Sequence, residues 1–135
     1  MNQELRTLIV EDDVTSRMIL KSFLEEFGPV STAPHGERAL EVFGEAIEAG
    51  TPFNLVCLDI MMPRMSGQET LERLRAAEEE AGMLPKFGSK ILMISALDDV
   101  RTVMASYQSL CDGYLAKPTT HVALIDELKK LNLIP

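Results

Sequence analysis

Four short apolar runs in this chain end on residues of distinct chemistry. Leu8-Ile9-Val10 runs into Glu11-Asp12-Asp13, and Leu55-Val56-Cys57-Leu58 runs into Asp59. Ile91-Leu92-Met93-Ile94 runs into Ser95-Ala96, and Tyr114-Leu115-Ala116 into Lys117-Pro118. Runs this short, bounded by turn residues and separated by helical patterns, read as buried parallel strands. The pattern predicts strands over 5–10, 30–33, 54–58, 90–94 and 113–116. Asp13 fits as the N-cap of a first helix whose apolar face is Val14, Met18, Ile19, Phe23, Leu24 and Phe27, stopped by Gly28-Pro29. A second helix carries Ala39, Leu40, Phe43 and Ile47, and a third carries Leu71 and Leu74 and ends near Ala81. The connection from Glu78 to Ser89 is longer than a compact unit needs, and Gly82, Pro85 and Gly88 break it. Asp98-Asp99 can start a fourth helix through Val100, Val103, Met104 and Tyr107. The last helix carries Val122, Leu124, Ile125, Leu128 and Leu131.

Strict alternation of five strands and five helices predicts an α/β fold, a doubly wound parallel sheet with helices on both faces. The 135 residues read as a single domain, with a core from about 5 to 131. Parallel strands point one way, so the residues that follow them meet at one edge, where ligands of open α/β sheets bind. Three or four of the carboxylates of Glu11, Asp12, Asp13 and Asp59, the Ser95 hydroxyl and the Lys117 ammonium should therefore share one crevice. That set suits a divalent cation and a phosphoryl group.

Composition narrows the alternatives. The chain is 46% hydrophobic and 25% charged, as expected of a soluble globular protein. A net charge of −8 with no Lys/Arg cluster argues against sequence-independent nucleic-acid binding. Part of the acidity, Glu78-Glu79-Glu80, reads as a solvated helix end. No apolar run approaches the roughly 18 residues that span a bilayer, and the start lacks signal-peptide organisation. A cytoplasmic location with no membrane partner is the expectation. Two cysteines make neither a disulfide framework nor a zinc site; Cys57 should pack as a small hydrophobe. Met61, Met62 and Met65 read as core and loop packing, and His35 and His121 are given no catalytic role. The apolar C-terminus, Leu133-Ile134-Pro135, could pack on the sheet or mark where a longer protein was trimmed.

Together these residues, in this order, resemble the receiver domain of two-component response regulators. The resemblance runs from Leu8 to Leu131 and implies a flavodoxin-like fold with strand order 2-1-3-4-5. It implies Asp59 as the phosphoacceptor, with Lys117 and Ser95 beside it. It implies Mg2+ held by Glu11 (through water), Asp12, Asp59 and the Met61 backbone carbonyl. Asp13 is left as the helix cap. Ser95 stands where threonine is commoner in the family. Tyr114 matches the switch aromatic, and Pro118 matches a proline whose peptide bond is typically cis. The donor would be a phosphohistidine on a histidine kinase or histidine phosphotransfer protein. Output would pass to a protein partner through the face of the fourth helix, fifth strand and fifth helix, with a homodimer left open. Catalysis would extend only to the chain's own phosphorylation and hydrolysis. Met61 and Leu97 flank the path of an attacking water, and two apolar groups there imply slow phosphate loss. Without metal the acidic cluster should be strained, with at least one carboxylate favouring its protonated form.

Three rival readings stand beside this one; one, a degenerate receiver that acts only as a scaffold, is opposed by the complete constellation. The chain could be a receiver excised from a larger hybrid kinase or transcription factor. An aspartyl-phosphate phosphatase on a related fold is more remote, because such enzymes usually carry a second acid where Met61 stands.

Overall fold

The computed structural model describes residues 4–84, 87–96, 101 and 110–135. The five strands are β1 (Thr7–Val10), β2 (Val30–Ala33), β3 (Leu55–Asp59), β4 (Lys90–Ser95) and β5 (Gly113–Ala116). The described helices are α1 (Val14–Leu24), α2 (Gly36–Glu48), α3 (Gly67–Glu80) and α4 (His121–Lys130). A 3-10 turn over Glu25–Phe27 follows α1. Except for Arg101, the predicted helix from Asp98 to Tyr107 lies outside the described residues, as does Leu97.

All strand pairs are parallel, in the order β2-β1-β3-β4-β5. Successive side chains of a strand point to opposite faces, which divides the core in two. Leu8, Val10, Val56, Leu58, Ile91 and Met93 meet Ala39 and Phe43 of α2 and Leu71 and Leu74 of α3. Ile9, Leu55, Cys57, Leu92 and Ile94 meet Leu20 and Leu24 of α1 and Leu124 and Leu128 of α4. Burial on both faces explains why the central strands read as unbroken apolar runs. Leu133 and Ile134 also pack on the second layer, so the apolar C-terminus covers part of the core.

Two expectations are corrected. The buried stripe of α1 is Leu20 and Leu24, while Val14, Met18 and Ile19 are exposed, Met18 to 64%. Helical spacing allowed either face, and the sheet is reached only by the one bearing Leu20. Val122 of the last helix is likewise exposed. The second correction concerns Glu78, which is buried at 6% exposure rather than solvated. It pairs with Arg75 at 2.7 Å and accepts hydrogen bonds from the Ser89 N–H and hydroxyl. Arg75 also donates to the carbonyls of Leu110 and Ser89 and to Asp112. The extra length of the α3–β4 connection is thus fastened to the start of β4 by a paired, fully engaged carboxylate, the form in which buried charge is tolerated.

Candidate functional site

The strand order reverses at β1 and β3, and the residues leaving these two strands form the floor of the site. Glu11 follows β1, and its N–H donates to the Ala33 carbonyl at 3.1 Å, one step past the ladder. Asp13 caps α1: its carboxylate accepts from the Ser16 N–H at 2.8 Å. That bond is the main cause holding the Asp13 carboxyl below its ordinary value. Asp59 closes β3, Ser95 closes β4, and Lys117 follows β5. Glu11, Asp59 and Ser95 are buried, Lys117 is half-buried and Asp12 is exposed.

The predicted groups converge. One carboxylate oxygen from each of Glu11, Asp12 and Asp59 lies within 4.8 Å of the others. The Ser95 hydroxyl donates to Asp59 Oδ1 at 2.9 Å. Lys117 Nζ donates to Glu11 Oε2 at 2.8 Å and stands 3.6 Å from Asp59 Oδ2. Burial is the main cause that lifts the Glu11 carboxyl to about 7; the Lys117 hydrogen bond opposes the rise and the Asp59 charge adds to it. Burial works against the charge of Lys117. Its hydrogen bond to Glu11 and the charges of Asp59, Glu11 and Asp13 outweigh that and hold the ammonium above its ordinary value. The strain expected of the acidic cluster therefore falls on Glu11.

The loop after β3 packs closely on the end of its own strand. Gly67 lies so close to the chain that a Cβ there would collide with the backbone carbonyl of Asp59. Its N–H donates to the Ile60 carbonyl at 2.8 Å, folding the loop back on the strand end. Arg64 adopts φ 68° within this loop, a conformation costly for a residue with a side chain. Met65 is buried, whereas the Met61 side chain is exposed. Tyr114 faces outward at 48% exposure. The Lys117–Pro118 peptide is cis. A cavity of about 340 Å³ beside α1 is lined by Ser16, Ile19, Leu20, Ile94, Lys117, Pro118 and Thr119. It is lined by none of the three clustered acids and is distinct from the metal-suited cluster.

Two side-chain contacts were not anticipated from the sequence, the first of them at the site. Arg17 Nη1 donates to the Glu11 carbonyl at 2.9 Å. A cation four residues after a helix cap, one turn below an acidic strand end, is the signal that could have found it. His35 caps α2, its Nδ1 accepting from the Arg38 N–H at 3.1 Å; a histidine before glycine gave no hint of that.

A doubly wound parallel sheet with an acidic cluster, a hydroxyl and a lysine gathered at one edge defines an α/β domain with a metal-suited acidic site. Comparison with known proteins makes the class specific. Residues 7–129 match the family model of the response regulator receiver domain, and the chain belongs to that family. It is 32% identical to chemotaxis protein CheY-3 of Vibrio cholerae over 133 residues, covering 97% of this chain and 94% of that protein. It is similar to a CheY-like response regulator receiver domain from Methylobacillus flagellatus, with TM-score 0.75, 25% identity and coverage of 96% and 99%. The receiver domain of the histidine kinase CKI1 from Arabidopsis thaliana, solved with Mg2+ and BeF3−, superposes with TM-score 0.72 at 26% identity, covering 93% and 90%. The predicted fold class, sheet order and family are thereby borne out.

Proposed function

We propose that Asp59 accepts a phosphoryl group from a phosphohistidine on a histidine kinase or phosphotransfer protein, and that the modified domain changes its affinity for a protein partner. The observation that carries this is the convergence of Ser95 and Lys117 on the Asp59 carboxylate beside Glu11 and Asp12. In the transfer, an Asp59 oxygen forms the new bond to phosphorus while the phosphorus–nitrogen bond of the donor breaks and the electron pair stays with the imidazole. Lys117 takes one phosphoryl oxygen and the Ser95 hydroxyl another, so the charge that builds on phosphorus meets fixed donors. Three hard oxygen donors without sulfur or paired histidines suit Mg2+. Glu11, Asp12, Asp59 and the Met61 carbonyl would hold the ion, which neutralises the attacking carboxylate and the incoming oxygens. Lys117 spans Glu11 and Asp59 and offsets part of their charge.

Once phosphorylated, Asp59 draws Ser95 toward the new oxygens, and Tyr114 turns from its exposed position into the space vacated. The shift is a change of population between two states, biased by the phosphoryl contacts. The output surface is the one that includes β5 and α4. The reaction is confined to the chain's own modification and its reversal, in a cytoplasmic setting. A receiver working as part of a larger regulator is the second reading. A relative such as the probable transcriptional regulator ycf27 of Cyanophora paradoxa favours it, because this chain covers 47% of that protein at 32% identity.

Mg2+ with beryllofluoride, which mimics the phosphoryl group, tests the site without a kinase. Amide spectra should shift at residues 59, 95, 114 and 117 in the wild type, and the shifts should be lost in Asp12→Ala. Equal shifts in the two proteins would remove Asp12 from the ligand set.

A further inference from the structure

We infer that Arg17 is a positioning residue for the acidic turn: its hydrogen bond to the Glu11 carbonyl aims the Asp12 carboxylate and so sets metal affinity and phosphorylation rate. The inference rests on the phosphoacceptor reading given above. Asp12 is exposed, and packing therefore does little to orient it. Its two flanking peptide planes are nonetheless both held. On one side, Arg17 Nη1 donates to the carbonyl of the Glu11–Asp12 peptide at 2.9 Å. On the other, the N–H of the Asp12–Asp13 peptide donates to Glu11 Oε1 at 3.1 Å. With both planes fixed, the backbone dihedrals of Asp12 are fixed, and so is the direction in which its side chain leaves the chain.

Arg17 is itself well anchored. Its backbone N–H donates to the Asp13 carbonyl at 3.0 Å in the first turn of α1. One residue therefore grips the turn at Asp13 with its main chain and at Glu11 with its side chain. The grip matters because Mg2+ demands near-octahedral geometry and binds poorly to misdirected ligands. Groups that orient a metal ligand typically change affinity as much as a lost contact does.

The charge on Arg17 gives the test its sign. A guanidinium beside a cation site repels the cation, so by Coulomb's law alone its removal should tighten Mg2+ binding. Loss of positioning predicts the reverse. Arg17→Met keeps most of the aliphatic stem and removes donor and charge together. Calorimetric titration should find Mg2+ bound about tenfold more weakly in this variant than in wild type. Phosphorylation by acetyl phosphate should also stay slower at saturating Mg2+. Arg17→Lys keeps the charge and a donor without the planar fork. It should fall between the two, and it serves alone if Arg17→Met does not fold. Unchanged or tighter Mg2+ binding in Arg17→Met, or wild-type affinity in Arg17→Lys, would overturn the inference. So would a lowered melting temperature in Arg17→Met with no change in Mg2+ affinity, which marks a purely structural role. A wild-type protein that neither binds Mg2+ nor labels would overturn the phosphoacceptor reading instead.

Discussion

Glu11 has two environments to satisfy, and they pull in opposite directions. Its place at the end of a buried strand disfavours charge, while the cation site proposed beside it favours charge. Burial outweighs the hydrogen bond from Lys117 and lifts the carboxyl from 4.5 to about 7. Between those values the folded chain holds a proton that the unfolded chain has released. Stability from this group therefore falls as pH rises across that window. In chelator, thermal unfolding of wild type and Glu11→Gln should diverge as pH rises from about 4.5 to 7, because the amide does not titrate. The variant should gain relative stability toward neutral pH. A constant difference across the window would mean that Glu11 is ionised throughout. Cys57 lies at the other extreme: complete burial pushes its thiol up to about 12, leaving a packed hydrophobe without reactive character.

The helices were legible in existence and only partly in orientation. Asp13 announced the first of them; Ser66 and Thr120, which were not read from the sequence, cap α3 and α4 in the same way, each accepting from the N–H three residues on. The face of α1 was not legible, because apolar residues occur around more than half of its circumference. Only contact with Ile9 and Cys57 of the sheet decides that Leu20 and Leu24 turn inward. Substitution can test this assignment. Leu24→Ala should cost about 2–5 kcal/mol, as for a large core side chain lost. Met18→Ala, from the exposed side of the same helix, should stay within about 0.5 kcal/mol. Comparable losses measured by denaturant unfolding would mean that the helix is rotated relative to the arrangement described. Glu78 teaches a related lesson. Its neighbours Glu79 and Glu80 are solvated, and nothing local distinguishes it from them. Its burial depends on Arg75 one turn earlier and Ser89 eleven residues later, partners that only the fold brings together.

On the scale of the whole molecule, the site belongs to no single element. Lys117 and Glu11 are separated by 106 positions and lie 2.8 Å apart. Parallel strands carry their C-terminal ends to one edge, and that rule alone brought Glu11, Asp12, Asp59, Ser95 and Lys117 together from the sequence. Strand order is another matter. Local patterns do not encode which strand lies beside which, and the order 2-1-3-4-5 was available only through family resemblance. Arg17 escaped notice because its contact is to a backbone carbonyl, so that its place one turn after the helix cap was the one signal pointing to it. The central claim concerns one carboxylate in this assembly, and intact-mass spectrometry after incubation with acetyl phosphate and Mg2+ tests it most directly. Wild type should gain a single phosphate-sized increment, and Asp59→Asn should gain none, because the nearly isosteric amide cannot act as the nucleophile. Equal labelling of the two proteins, or no labelling of wild type, would contradict the account.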